Sequence, residues 1–140
     1  MKDKTLQFCR GCLACQKTQQ CVISDDMNVM IDKVKNADVL IFATPIYYYE
    51  MSGVMKTFLD RCNPLFVSDY RFRDVYLISS SYDSDADAGE RAAHGLEGWI
   101  VCFEKSRLAG VLNGGGLGNA KEALHHQELL QKAYQLGKNI

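Results

Sequence analysis

Four of the chain's cysteines, Cys9, Cys12, Cys15 and Cys21, crowd into one short stretch. Thiolates are soft metal ligands, and three at successive i+3 spacings can wrap a cubane that a fourth closes a few residues on. The run is close to the Cys-x2-Cys-x2-Cys-x3-Cys-Pro pattern of bacterial ferredoxins, with a longer last gap and Val22 where the proline would stand. Zinc usually takes two cysteine pairs held apart by an intervening turn, so this compact run suits it less well. A loop of free thiols, holding no metal, is the third reading. Cys62 and Cys102 lie in apolar helical patterns and read as small core residues.

The second group is Thr44-Pro45-Ile46-Tyr47-Tyr48-Tyr49-Glu50-Met51-Ser52-Gly53. It offers flat aromatic surfaces, free backbone N–H groups and a helix N-terminus, a combination that suits a planar, polar-edged heterocycle such as a flavin. The same tyrosines would equally pack against a partner subunit, and both readings hold if the pocket lies at a dimer interface. In open α/β sheets ligands bind beyond the carboxyl ends of the strands, and Ser79 to Ser84 and Asn113 to Asn119 belong there too. Gly114-Gly115-Gly116-Leu117-Gly118 breaks the Gly-x-Gly-x-x-Gly pattern and reads as a flexible loop that touches a ligand at most. The adjacent His125 and His126 diverge by about 100° on a helix and form no ligand pair. Asp83, Asp85 and Asp87 read as a charge cluster at a helix N-terminus, since no EF-hand follows.

Alternating helices and strands position these groups. Ser24, Asp25 and Asp26 can cap a helix whose apolar face is Met27, Met30, Ile31 and Val34 and which ends near Asn36. Val39 to Ala43 is a continuous apolar run, as expected of a parallel strand buried on both faces, with Thr44-Pro45 ending it. Met51, Val54, Met55, Phe58, Leu59 and Cys62 mark a second helix face, closed by Asn63-Pro64. Val75 to Ile78 and Leu108 to Leu112 read as further strands. Ala92, Ala93, Leu96, Trp99, Ile100 and Phe103 mark a helix despite Gly89, Gly95 and Gly98, and Leu130, Ala133, Tyr134 and Gly137 mark the last one. This order means an α/β layer with a parallel sheet and right-handed crossovers.

The whole chain, residues 1–140, reads as one domain with residues 9–21 as a cysteine-rich loop, since 140 residues suit a single core. Sixteen basic and 17 acidic residues leave a net charge of -1. A field so balanced gathers neither nucleic acid nor an anionic membrane. The longest apolar stretch, Val39 to Tyr49, is too short to span a bilayer, and Met1-Lys2-Asp3-Lys4 leads into no signal-like apolar segment. A reducing cytoplasmic setting is the expectation, and packed cysteines there point to metal or redox chemistry.

Taken together, Cys9-Arg10-Gly11-Cys12-Leu13-Ala14-Cys15, the run Cys21 to Met27, Ala37-Asp38 through Thr44 to Tyr48, Met51-Ser52-Gly53 and Lys56 to Arg61 resemble the NADPH-dependent FMN reductase and iron-sulfur flavoprotein family of flavodoxin-like folds. The likeness is specific over residues 6 to 64 and looser to the end. It implies a three-layer α/β/α fold in strand order 2-1-3-4-5. It implies FMN, with Thr44, Pro45, Ile46, Tyr47, Tyr48, Met51 and Ser52 lining the isoalloxazine ring, and a [4Fe–4S] cluster on Cys9, Cys12, Cys15 and Cys21. Electrons would pass between NAD(P)H, the flavin and a small-molecule or protein acceptor, with no side chain needed as a general base. Members associate as dimers or tetramers. The family starts with a strand, a phosphate-binding loop, a helix and a second strand, and this chain begins after them. The expectation is therefore a truncated fold with about three strands, Val39 to Ala43 as an open edge, and weak FMN binding. The alternative is a cofactor-free fragment acting as an interaction module.

Overall fold

A computed structural model describes residues 3–85 and 87–140; Met1 and Lys2 of the charged opening lie outside the described residues. After an extended lead come α1 (Cys15–Thr18), α2 (Met27–Asn36), β1 (Val39–Tyr47), β2 (Glu50–Met51) and α3 (Gly53–Asp60). A 3-10 turn (Asn63–Val67), β3 (Asp74–Ser80), α4 (Glu90–Ile100), β4 (Arg107–Gly114), a second 3-10 turn (Glu122–His125) and α5 (Gln127–Lys138) follow. The sheet order is β2-β1-β3-β4, with β1, β3 and β4 parallel and β2 antiparallel to β1. The α/β architecture is as expected, with one strand more: the tyrosine segment folds back on β1 as a hairpin, so Met51 sits in β2 and α3 starts only at Gly53. Nor does Thr44-Pro45 end β1, which runs on to Tyr47. Pro45 lies where β1 is an edge strand, and there its missing N–H removes no ladder bond.

Burial along β1 alternates instead of being continuous. Leu40 and Thr44 are buried, whereas Ile41 is 53% exposed. One face of the sheet carries the whole core: Leu40, Val75 and Leu77 pack on Met27, Ile31 and Val34 of α2, Met55, Phe58 and Leu59 of α3, and Ala92, Leu96 and Ile100 of α4. Phe72, fully buried, stacks on Tyr70 at 4.5 Å and on Trp99 at 6.0 Å, and Phe103 closes the cluster edge-on. The other face is covered on the β4 side by α5, which approaches closely enough that a Cβ on Gly110 would come within 2.9 Å of Leu136, and Tyr76 of β3 is buried beside it. Over β1 that face is bare, which is why Ile41 is not buried. Cys62 is in the core as expected, but Cys102 is exposed: α4 ends at Ile100, and Cys102 falls in the turn beyond it. His125 lies in the 3-10 turn and His126 just precedes α5, outside any regular helix. Among the described residues no helix is long and apolar enough to cross a membrane.

One buried ion pair ties the layers together. The Arg61 guanidinium, at the C-terminal end of α3, donates from Nη1 to Asp25 Oδ2 at 2.7 Å and from Nη2 to Asp25 Oδ1 at 2.9 Å. Nη1 also donates to the Gln7 carbonyl at 2.7 Å. Asp25 in turn accepts the backbone N–H of Gln7 at 2.9 Å and of Met27 at 3.1 Å, so it caps α2 while holding the N-terminal lead. Asp26 accepts from the Thr5 N–H and Lys4. Both side chains of the pair are almost fully buried, and removing one partner of such a pair strands the other's charge. We expect Asp25→Ala to lower stability by about 3–5 kcal/mol, read by urea denaturation at pH 7. Arg61 and these N–H groups hold the Asp25 carboxyl below the usual carboxylate range. Its contribution is therefore whole above about pH 4, the unfolded value, and is lost as pH falls through the depressed folded value. Denaturation midpoints of wild type and Asp25→Ala should converge below that range.

Candidate functional site

The tyrosine segment is a two-residue hairpin. Ile46 pairs with Met51 and Tyr47 with Glu50, leaving Tyr48 and Tyr49 at the tip with φ of 52° and 64°. Positive φ at both central residues is the signature of a type I′ turn, which normally takes Asn or Gly there. A bulky residue held in the left-handed region costs about 1–2 kcal/mol. Tyr48 is also 99% exposed, so the fold recovers nothing from its side chain. Strain of this kind, held next to strand ends, accumulates where a ligand is clamped.

The hairpin is anchored from two sides. Thr44 Oγ1 accepts the Ser52 N–H at 3.0 Å and lies 3.2 Å from Ser52 Oγ, which caps α3 by accepting the Met55 N–H at 3.4 Å. Tyr49 donates its hydroxyl to Asp83 Oδ2 at 2.9 Å, which ties the hairpin to the loop after β3. That contact raises the phenol's pKa, while the Asp85 N–H and Tyr49 lower that of Asp83. The loop after β3 is joined to the glycine segment after β4: the Ser81 N–H donates to the Gly114 carbonyl at 2.9 Å, the Leu117 N–H to the Ser81 carbonyl at 2.7 Å and the Gly116 N–H to the Asp83 carbonyl at 3.1 Å. All three segments expected at the strand ends therefore meet. They border an apolar cavity of about 400 Å³ lined by Thr44, Pro45, Ser79, Ser80, Gly114 and Leu117, with Leu129, Leu130 and Ala133 of α5 as its far wall.

Of the seven residues expected along a flavin ring, Thr44 and Pro45 line this cavity, while Tyr47 and Tyr48 present open aromatic faces. Thr44 and Ser52 spend their hydroxyls on each other and on the cap. Ile46 is half-buried against the core, and Met51 is in it and can offer a ligand only backbone. Sequence reasoning missed Tyr49 and Asp83 as a pair; the contact spans 34 residues and no local pattern marks it.

The cysteines form a second site. The loop bends sharply at Gly11, Leu13 and Gln19, all with positive φ. Gln19 donates to the Val67 carbonyl at 3.2 Å, which docks α1 on the 3-10 turn. Cys9, Cys12, Cys15 and Cys21 line one small pocket of about 20 Å³ with Arg61, Asn63 and Pro64. Cys15 is buried while Cys9 and Cys12 are exposed. Burial, and then the nearness of Cys21, Cys12 and Cys9, push the Cys15 thiol up. Among the described residues, no three Cys, His, Asp or Glu side chains converge on one ion-sized point. A single ion needs such convergence, whereas a cubane takes each thiolate on a different iron and needs them set around it. The four thiols line the pocket without meeting at one point. Arg61 Nε, a buried N–H without a hydrogen-bond partner, borders the same pocket.

The profile of the family described as NADPH-dependent FMN reductase matches residues 1–106. An iron-sulfur flavoprotein of Archaeoglobus fulgidus is 38% identical over 64 residues, which is 46% of this chain and 29% of that protein. An iron-sulfur flavoprotein of Methanocaldococcus jannaschii is 26% identical over an alignment of 148 positions, covering 100% of this chain and 76% of the relative. Among solved structures, the Trp repressor binding protein from Bacillus subtilis matches with a TM-score of 0.59 at 26% identity, covering 74% of this chain and 71% of that one.

If the hairpin tip is strained for a ligand's sake, relieving it should help the bare protein. Tyr48→Gly is expected to raise stability by about 1 kcal/mol, read as a higher thermal midpoint without added ligand. An unchanged or lower midpoint would mean that the left-handed tyrosine carries no strain.

Proposed function

The chain belongs to the NADPH-dependent FMN reductase family of flavodoxin-like α/β folds, and from that premise we propose that it is an FMN-dependent oxidoreductase of the iron-sulfur flavoprotein type. Electrons would pass from NAD(P)H, through sites on this chain, to a small-molecule or protein acceptor. The observation that carries the reading is the hairpin: two left-handed tyrosines at the carboxyl end of β1, one of them bare, beside an apolar cavity.

The residues fit a flavin. Tyr47 and Tyr48 supply flat apolar faces for a tricyclic ring, and the cavity wall at Pro45 and Leu117 excludes water from its edge. The Thr44–Ser52 contact fixes the start of α3, whose dipole places partial positive charge at the strand ends and favours an electron-rich ring there. Cys9, Cys12, Cys15 and Cys21 would hold the cluster. When bound, FMN supplies one- and two-electron transfer and a [4Fe–4S] cluster one-electron transfer. The chain's own part is binding, orientation and electrostatics, with no side chain acting as a general base. Free thiols and a cluster both suit a reducing, cytoplasmic setting. The edge of β1 from Val39 to Pro45 has no strand beside it among the described residues, and an open edge invites pairing with a second copy. A homodimer or tetramer is the corresponding proposal.

Fluorescence titration with FMN tests the flavin site. Saturable quenching is expected, and Tyr48→Ala should weaken it by about 2–10-fold, the loss of one aromatic stacking contact. No quenching by FMN at any concentration would sink the flavin reading and leave the interaction-module alternative. Anaerobic reconstitution with iron and sulfide should yield about four iron atoms per chain and broad absorption near 400 nm. Cys12→Ser should abolish that uptake, and less than one iron per wild-type chain would rule the cluster out.

A further inference from the structure

Resting on the reading that Cys9, Cys12, Cys15 and Cys21 ligate a cluster, we propose that the Arg61 Nε–H is the hydrogen-bond donor to a sulfur of that centre and so sets how readily it accepts an electron. Arg61 is 1% exposed, the most completely buried cation among the described residues. Three of its hydrogen bonds are accounted for: two from Nη1, to Gln7 and Asp25, and one from Nη2, to Asp25. Nε has none, and it is shielded from solvent. A buried charged donor left unmade is among the more expensive defects a fold can carry. Such a donor calls for an acceptor within reach.

The direction of the missing partner follows from the geometry. The guanidinium is planar, and the fork to Asp25 fixes its plane, so Nε–H cannot rotate to find another acceptor. Arg61 borders the pocket lined by the four cysteines, and Cys21 lies beside the guanidinium. Cys21 cannot swing away easily, because Asn28 Nδ2 holds the carbonyls of Cys21 at 3.4 Å and Ile23 at 3.2 Å. Of the side-chain acceptors lining that pocket, four are cysteine sulfurs and the fifth is the Asn63 amide oxygen. A cationic N–H aimed at a sulfur favours the state with more negative charge on it, so the donor raises the reduction potential of a thiolate-ligated centre. Asp25 neither ligates nor faces the pocket; its part is to hold the donor's orientation.

Arg61→Lys separates this role from mere folding, since lysine keeps the charge but cannot fork to Asp25 and present a third N–H at the same time. Wild type and variant are reconstituted anaerobically, iron is counted, and the cluster is titrated electrochemically. The variant is expected to load iron and to show a more negative potential, by at least the 59 mV that a tenfold change in the reduced-to-oxidised ratio represents for one electron. An unchanged potential in loaded Arg61→Lys overturns the proposal while leaving the cluster reading intact. Wild type labelled with ¹⁵N-arginine gives a second measurement that needs no variant to fold. The one slowly exchanging Nε–H signal is expected to shift or broaden on loading, and the same signal at the same position in both forms overturns the proposal. Wild type that takes up no iron overturns both readings, and iron analysis identifies that outcome before any potential is measured.

Discussion

Everything around the cysteines depends on one guanidinium. Arg61 receives the chain just before Cys9, through the Gln7 carbonyl, and again just after Cys21, through the Asp25 carboxylate. The cysteine loop therefore starts and finishes at the same buried side chain. Closing a flexible loop costs entropy that grows slowly with its length, and here a charged, bidentate contact offsets it at both ends. The same arginine ends α3 and the same aspartate begins α2, so the position of the loop is transmitted to the two helices that pack the core face of the sheet. Desolvating an ion pair is unfavourable in itself. What makes this one tolerable is that both carboxylate oxygens are filled, by Arg61, Gln7 and Met27 together.

The sheet is asymmetric, and the asymmetry places the cavity at the strand ends. Three helices crowd one face, while α5 alone covers part of the other. The apolar cavity lies between the first turns of α5 and the carboxyl ends of the strands, and the hairpin stands at its rim. Thr44 links the two worlds: its backbone belongs to β1, and its hydroxyl accepts the N–H that sets the first turn of α3. A shift of β1 by one residue would lose both the cap and the hairpin register.

Much of the fold was legible because its signals are local. The i, i+3, i+4 recurrence of α2, α3 and α4 and the apolar runs of β1, β3 and β4 are properties of short windows, and so is the cysteine spacing. What stayed hidden was of two kinds. The first is context: Pro45 reads as a strand end unless one knows that it sits on an edge, and Cys102 reads as core unless one knows that α4 stops at Ile100. Ile41 looked doubly buried because the run around it is apolar, yet burial depends on what covers the second face. The second kind is long range. Arg61 and Asp25 are 36 residues apart, and each alone looks like an ordinary helix-terminal charge. Of the site residues, the cysteines and Tyr47 and Tyr48 were visible as types, but the left-handed backbone that exposes Tyr48 was not, since Tyr-Tyr is a poor sequence for that turn.

The parallel ladders have a kinetic side. β1 must find β3, and β3 must find β4, each across a connection that contains a whole helix, so neither pairing forms before a long segment has been ordered. Among the described residues the only sequence-local pairing is the hairpin of β1 with β2, and its turn is built from residues that resist the conformation required. The element best placed by proximity to start the sheet is thus the one least able to stand alone, and assembly is left to the collapse of Phe72, Trp99 and their neighbours on the opposite face. During that interval the thiols of the N-terminal segment remain open to solvent and to oxidants, for they are gathered only once Arg61 is buried.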